Sequence, residues 1–586
     1  MTFSVILAAA LLLGVLAMTW LGAGAVFCPA GEPARPMQGR GERWYGVAVA
    51  LVYAVVAFAG LGERSAPESW CVLDEGESVE FTVPQGAVVA KLRFFSGINT
   101  GEIRVECSDD GAHWKDAATL EQNYVAVLRW NDAGTEASGR KFRLTGLGSE
   151  LDIGELGLYD AAGARIVPDW SDGGAAGLFD EPDTVPEKIS YLNGSYFDEI
   201  YHVRTAWESL KFDGMYEVTH PPLGKLIIAL GLLLFGVNPF GWRFMGTLCG
   251  VLMLPMLYDF LRRLFGRSSV ALSGTVIFAF DFMHFTQTRL ATIDSYSVFF
   301  ILGMYYYMYR FCSEEEHGGR HLLLSGLFFG LGAATKWTCL YAGAGLAVIW
   351  LLHWVRRREA FRTAGFWVNV CECILCFVTI PCLIYYLSYY PYGRTAGLSG
   401  LGMFFDPRYG KIVWNNQVSM WSYHSSLVAT HPYSSVWWQW VLDIRPILYY
   451  LDGTAAEKSA IAAFTGPLLC WGGLGAMLLC AAAAVGKRDG RAAFIVLGYL
   501  SQLLPWMLVT RLTFAYHYFP SEIFLTLAMG YALSRIEEKR GRGWVTLGAA
   551  VAAMALFALF YPVLSGVPVA RSYCSRLLQW FPSWPV

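Results

Sequence analysis

The chain has 586 residues, of which 55% are hydrophobic, 15% aromatic and only 16% charged. Soluble proteins carry about a quarter charged residues, so the composition excludes an ordinary soluble enzyme. It describes a polytopic membrane protein with interfacial aromatic belts. The formal net charge of −3 is split between loops and identifies no partner, and no basic stripe points to nucleic acid.

In chain order, residues 3–27 form an apolar run without a basic leader, long enough to span a bilayer. A loop with Arg35, Arg40 and Arg43 follows, then a second run at about 45–62. The positive-inside rule places that loop in the cytoplasm and residue 63 onward outside. Residues 1–65 are therefore read as two N-terminal spans.

Residues 66–168 regain charge and alternate in short segments: Val79–Val83, Ala90–Phe94, Ile103–Cys107, Lys141–Leu144 and Glu155–Asp160. This pattern predicts an extracytoplasmic antiparallel β-sandwich. The run Glu106–Trp114 resembles the S-x-D-G-x-x-W hairpin of discoidin-like, galactose-binding jelly rolls. Cys71 and Cys107 leave a disulfide open here, whereas Cys371, Cys373 and Cys376 read as buried apolar side chains. No cysteine or histidine spacing suggests a zinc site.

Residues 169–240 read as a linker and an outer loop. The loop holds a polar island, Phe197–Lys225, and an interfacial helix at Leu226–Phe235. Apolar runs then recur at about 243–264, 268–286, 295–311, 320–335, 339–354 and 366–388. An aromatic outer loop, 389–458, precedes runs at about 460–485, 492–510, 517–535 and 543–562 and an outer tail, 563–586. The helical blocks are 241–388 and 459–562, giving about twelve spans in all. No paired repeat is evident, which disfavours a transporter or flippase.

Asp198 and Glu199 are adjacent carboxylates, with His202 and Arg204 within a turn. Asp198 is suited to take a proton from an acceptor hydroxyl. Glu199 projects elsewhere, to pair an Arg or orient the acceptor. A glycan-sensing receptor would have no use for the pair. His220, Pro221 and Pro222 make a stiff turn, and Lys225 presents a cation. A solvated loop and a snorkelling Lys would explain these residues as simply. Arg243, Arg289, Lys336 and Arg511 sit at outer span ends, against the positive-inside trend. A lipid phosphate would account for them, as would local acids such as Asp294 or Glu522.

Asp198-Glu199 ahead of His220-Pro221-Pro222-Leu223-Gly224-Lys225 resembles the signature of protein O-mannosyltransferases, members of the GT-C superfamily of polyprenyl-phosphate-sugar glycosyltransferases. Arg289 to Asp294, Thr335-Lys336-Trp337, His424–Ser435, Trp437–Trp440 and Phe514–Pro520 extend the likeness over about 190–535. The resemblance implies Asp198 as catalytic base and Glu199 as a shaping acid. It implies a donor-phosphate site with Arg243, to which Lys225, Arg289, Lys336 and Arg511 are added as cations. His202, Arg204, His220, Pro221, Pro222, Asp294, His424, His431 and His517 are read as shaping the site or meeting substrate.

The implied donor is a polyprenyl phosphate carrying a mannose-like sugar. The implied acceptor is a Ser or Thr hydroxyl of protein, with inversion at the outer face of the plasma membrane and lipids surrounding the spans. No metal is demanded, although a divalent cation bridging the acids to phosphate stays open. The 389–458 loop is too short for the β-trefoil repeats of eukaryotic members, and a β-sandwich and an extra span come first. A lipid or cell-wall glycan acceptor is therefore the alternative.

Overall fold

A computed structural model describes residues 42, 44–170, 175–314, 317–541 and 543–585. The predicted span at 3–27 lies outside the described residues. The chain forms two compact units. A sheet unit comprises Gly60–Lys211 and Ile228–Phe244; a helical unit comprises the chain up to Ala59, Phe212–Ile227 and Met245 onward.

The sheet unit holds β1 (Cys71–Leu73), β2 (Ser78–Thr82), β3 (Val88–Ser96), β4 (Gly101–Ser108), β5 (Lys115–Gln122), β6 (Arg129–Ser138), β7 (Lys141–Gly146), β8 (Leu151–Tyr159) and β9 (Arg165–Ile166). They pair antiparallel as β1-β8-β3-β6, with β9 on β8, and as β2-β7-β4-β5. Each predicted strand falls on one of these. In β7, Phe142, Leu144 and Gly146 are buried and alternate with half-buried neighbours, as a strand with one face on a core requires. Both sheets supply one apolar core, including Phe81, Leu92, Phe94, Ile103, Val105, Phe142, Leu144 and Leu156. Phe81 stacks on Phe142 at 5.7 Å and meets Phe179 edge-on at 4.9 Å. Phe142→Ala is expected to cost about 3–5 kcal/mol, read as a lowered melting temperature; an unchanged melt would mean this core is not holding the sheets. Cys71 and Cys107 lie in different sheets and both thiols are free.

The linker after the sheets is not slack. Arg93 grips Asp132 at 2.7 and 2.8 Å and donates to the Pro186 and Glu187 carbonyls at 2.5 and 3.0 Å. Ser195 N donates to the Leu128 carbonyl at 3.0 Å. The chain then enters α2 (Glu199–Lys211), which follows α1 (Trp44–Phe58) in the sequence. Trp207 of α2 packs on Trp70 at 5.4 Å, and Trp70 on Phe95 at 5.9 Å. The sheets therefore fix both the entry to α2 and its buried face.

Next come α3 (Leu223–Phe235), α4 (Pro239–Phe265), α5 (Ser268–Ala279), α6 (Phe282–Thr288), α7 (Asp294–Ser313), α8 (Gly318–Ala333), α9 (Thr338–Arg356) and α10 (Ala364–Thr395). The longer helices that follow are α11 (Pro407–Ser426), α12 (Leu468–Gly486), α13 (Gly490–Leu503), α14 (Phe519–Arg540) and α15 (Gly543–Ser565). Among the described residues five helices (α4, α9, α10, α12 and α15) are long and apolar enough to cross a bilayer, or six if α5 and α6 count as one bent span. The chain is a multi-pass membrane protein.

Two boundaries differ from the sequence reading. The run 268–286 is not one helix: it bends by 55°. Asp281 caps α6, accepting from the Met283 and His284 amides at 2.9 and 3.3 Å, and also takes the Gly466 amide at 2.7 Å. The run 460–485 does not start as helix. β10 (Ile447–Gly453) and β11 (Glu457–Ala463) pair there, and β12 (Val569–Ala570) of the tail joins β11.

Candidate active site

In the sheet unit, Asp198 stands just ahead of α2, and its carbonyl accepts the Tyr201 and His202 amides at 3.1 and 3.2 Å. Phe197 before it takes the left-handed conformation, φ 51°, turning the chain into the helix. Glu199 is fully buried. Arg243 of α4 clasps it with Nε–Oε1 at 2.8 Å and Nη2–Oε2 at 2.7 Å. The other guanidinium donors reach the carbonyls of Leu61 (2.9 Å), Tyr191 (2.8 Å) and Gly194 (2.8 Å). A guanidinium has five N–H groups, and each has a protein acceptor. Arg243, read from the sequence as a lipid-phosphate ligand, is thus saturated and holds the Tyr191–Glu199 segment. Glu199 takes the arginine-pairing option, with Trp242 Nε1 adding a bond at 3.3 Å. His202 is buried, and Arg204 pairs along α2 with Glu208 at 2.8 Å.

In the helical unit the His-Pro-Pro turn wraps a buried ammonium. Lys225 Nζ donates to Glu217 Oε2 at 2.5 Å, the Glu217 carbonyl at 2.8 Å and the His220 carbonyl at 2.9 Å. Its three donors each meet a protein acceptor. Pro221 and Pro222 are buried, and Pro222 offers its carbonyl to the Lys225 and Leu226 amides at 3.0 and 3.1 Å, starting α3. Glu217 also faces His220 Nδ1 at 3.1 Å and the Thr219 amide at 2.8 Å. Sequence reasoning missed Glu217; a carboxylate three residues before His220 was the available signal. Gly224 lets this turn approach closely, since a Cβ there would fall 2.6 Å from Ile293 and 3.0 Å from Thr335.

That approach brings in the next two segments. Asp294 Oδ1 accepts from Lys336 Nζ at 2.6 Å, and Nζ lies 5.5 Å from the Tyr516 ring. His424, in the last turn of α11, bonds the Thr219 carbonyl at 2.8 Å, and its ring lies 5.4 Å from that of His220. His517 stacks on Tyr516 at 4.5 Å and on Trp440 at 5.8 Å. His431 sits 5.1 Å from Phe514 and accepts the Tyr433 amide at 3.2 Å. Arg289 instead caps α1, donating to the Ala57 and Ala59 carbonyls at 2.6 and 2.7 Å. Arg511 differs from the other cations: among the described residues its one hydrogen bond is to the Leu512 carbonyl at 3.2 Å, and no carboxylate pairs with it. No group of three or more His, Cys, Asp or Glu side chains among the described residues is placed to hold a metal ion.

Electrostatics bind this cluster together. Burial, then the charges of His220, Arg511 and Lys336, pushes His424 down to about 4. Burial lowers His220 too, against the pull of Glu217, and Lys336 and Lys225 add to the lowering. An unfolded imidazole titrates near 6.5. Between those values the unfolded chain binds more protons, so the stability linked to neutral His424 is whole above about 6.5 and is lost as pH falls toward 4. His424→Asn is expected to flatten the fall of melting temperature across that window; an unaltered slope would remove His424 as its source.

A family model described as dolichyl-phosphate-mannose-protein mannosyltransferase matches residues 219–385. A second, the C-terminal four-transmembrane region of protein O-mannosyltransferase, matches 410–584. The two together cover more than half of the chain. The polyprenol-phosphate-mannose–protein mannosyltransferase of Mycolicibacterium smegmatis is 28% identical over 66% of this chain and 87% of its own length. That of Mycobacterium tuberculosis is 25% identical over 66% of this chain and 86% of its own. In fold, the chain is similar to a protein O-mannosyltransferase complex of S. cerevisiae solved with its sugar donor bound. The TM-score is 0.59 at 14% identity, over 67% of this chain and 89% of that one. The matched segments carry the His220–Lys225 turn, the Asp294–Lys336 pair and the aromatic run before α14, and on them the chain belongs to the protein O-mannosyltransferase family.

Proposed function

We propose that this enzyme transfers a mannose-like sugar from a polyprenyl phosphate to Ser or Thr hydroxyls of protein. The observation that carries the donor half is Arg511. Among the described residues it is a cation without a carboxylate partner, its one hydrogen bond going to the Leu512 carbonyl at 3.2 Å. A phosphate is an anion that such an arginine accommodates. Asp198 acts as the general base: it takes the hydroxyl proton as the oxygen bonds to the anomeric carbon from the face opposite the phosphate. The bond from that carbon to the phosphate oxygen breaks, the configuration inverts, and polyprenyl phosphate leaves with the electron pair. Arg511 and Lys336 stabilise the departing charge.

Helix in part of each predicted run from residue 45 onward supports a twelve-span chain. The two sheets and the Gly111 turn, where Asp110 Oδ1 accepts the Ala112 and His113 amides at 2.8 and 2.9 Å, suit a discoidin-like sandwich. The basic residues after α4 and α9 support a reaction at the extracytoplasmic face of the plasma membrane, since basic loops favour the cytoplasmic side.

The test is full-length purified protein with radiolabelled polyprenyl-phosphate mannose and a Ser/Thr-rich peptide. Label should enter the peptide and be released by alkaline β-elimination; label passing only to lipid or glycan would overturn the acceptor. Arg511→Ala should weaken donor binding by about 10- to 100-fold, the worth of one charge-assisted hydrogen bond. Unchanged donor affinity would take Arg511 out of the site.

A further inference from the structure

Two buried acids of the helical unit take no part in the chemistry described so far. Asp281 lies at the 55° bend between α5 and α6, and Glu522 in the first turn of α14. They are 2% and 0% exposed. Their carboxyl groups hydrogen-bond to each other. Among the described residues no Lys, Arg or His forms an ion pair with either. The neighbour within electrostatic reach of both is a third buried acid, Asp443.

The hydrogen bonds around the pair show where a proton must sit. A bond between two carboxyl groups needs one proton, because ionised carboxylates only accept. Asp281 accepts three amides: Met283 and His284 on Oδ2 at 2.9 and 3.3 Å, and Gly466 on Oδ1 at 2.7 Å. Bonds of that kind suit a carboxylate. Glu522 Oε1 accepts the Thr465 hydroxyl at 2.7 Å, whereas Oε2 is buried and receives no donor. A proton on Oε2 turns that partnerless oxygen into the donor of the bond to Asp281. Two adjacent carboxylates in an apolar interior without a cation would repel at high cost. Ionisable side chains at membrane depth are rare where nothing uses them.

The use follows from what the pair joins. α6 runs on through Arg289 to Asp294, the partner of Lys336. α14 follows directly from Tyr516 and His517, the aromatic side of the same cluster. Thr465 and Gly466, between β11 and α12, bond to one acid each and close the junction. We propose that Glu522 is a positioning residue for sugar transfer: its protonated carboxyl donates to Asp281, ties α6 to α14, and so holds the Asp294–Lys336 pair against Tyr516. The positioning role rests on the transfer reaction proposed above; the shared proton does not.

The experiment uses full-length protein and two readouts. Infrared spectra at neutral pH should show a protonated-carboxyl carbonyl band in wild type that Glu522→Gln diminishes. In the peptide-labelling assay Glu522→Ala should lower transfer about 100-fold, as a small misplacement far from the chemistry does. Glu522→Gln should recover most of that loss, because its amide donates to Asp281 while its carbonyl accepts from Thr465. A band unchanged by Glu522→Gln means that Glu522 is ionised and overturns the proposal. Wild-type transfer by Glu522→Ala overturns it too, as does a well-folded Glu522→Gln that has lost transfer. The glutamine variant decides by its band and its rate even if the alanine variant does not fold. A wild type that labels no peptide, with the band still following Glu522, would take down the transfer reaction and the positioning role with it, and leave the shared proton.

Discussion

Replacing Asp198 with Asn is expected to lower sugar transfer by about 100- to 10,000-fold, the usual contribution of a positioned base, with donor binding intact. Asn keeps the size and polarity of Asp but cannot take the hydroxyl proton. The variant keeps the Asp198 carbonyl, which accepts the amides that start α2, and a melt on the same preparation checks that the fold is kept. Initial rates with labelled donor and a fixed peptide give the effect on transfer, and a separate donor titration gives the effect on binding. A variant within threefold of wild type would remove Asp198 as the base and send the search to other acids.

Arg243→Ala should act on stability instead. It strands a fully buried Glu199 carboxylate and leaves three backbone carbonyls without a donor. Breaking a buried pair by removing one partner costs about 3–5 kcal/mol, so the variant should melt well below wild type and accumulate poorly. Arg243→Lys should rescue little, since an ammonium brings three donors on a point charge where five are used. A lipid-phosphate role predicts the opposite pattern: a normal melt with lost donor affinity. Measuring both quantities on one preparation separates the two roles.

The periodic parts of this fold were plain in the sequence. Period-two alternation marked Val79–Val83 and Lys141–Leu144, and long apolar runs marked the helices. The failures lie where one local group overrides the pattern. Asp281 breaks an apolar run by capping a new helix, and residues 460–463 pair as part of a strand although they open the apolar run that leads to α12. In the site, charge could be read but partners could not. Arg243, Lys225 and Arg289 all looked like phosphate ligands. Each instead donates to main-chain carbonyls, which every residue carries and no sequence distinguishes. The Lys336–Asp294 pair joins two side chains, and both were visible as charges in the sequence.

The sheets grip the chain before Asp198 through Arg93 and Leu128 and pack on α2 through Trp70. An insertion that only tethered or sampled glycans could be cut out or swapped as a cassette. This one cannot: excising it would cast the acid loose from its mooring. Exchange of accessory domains between relatives should therefore succeed only when the graft carries the 186–211 segment along with its sheets.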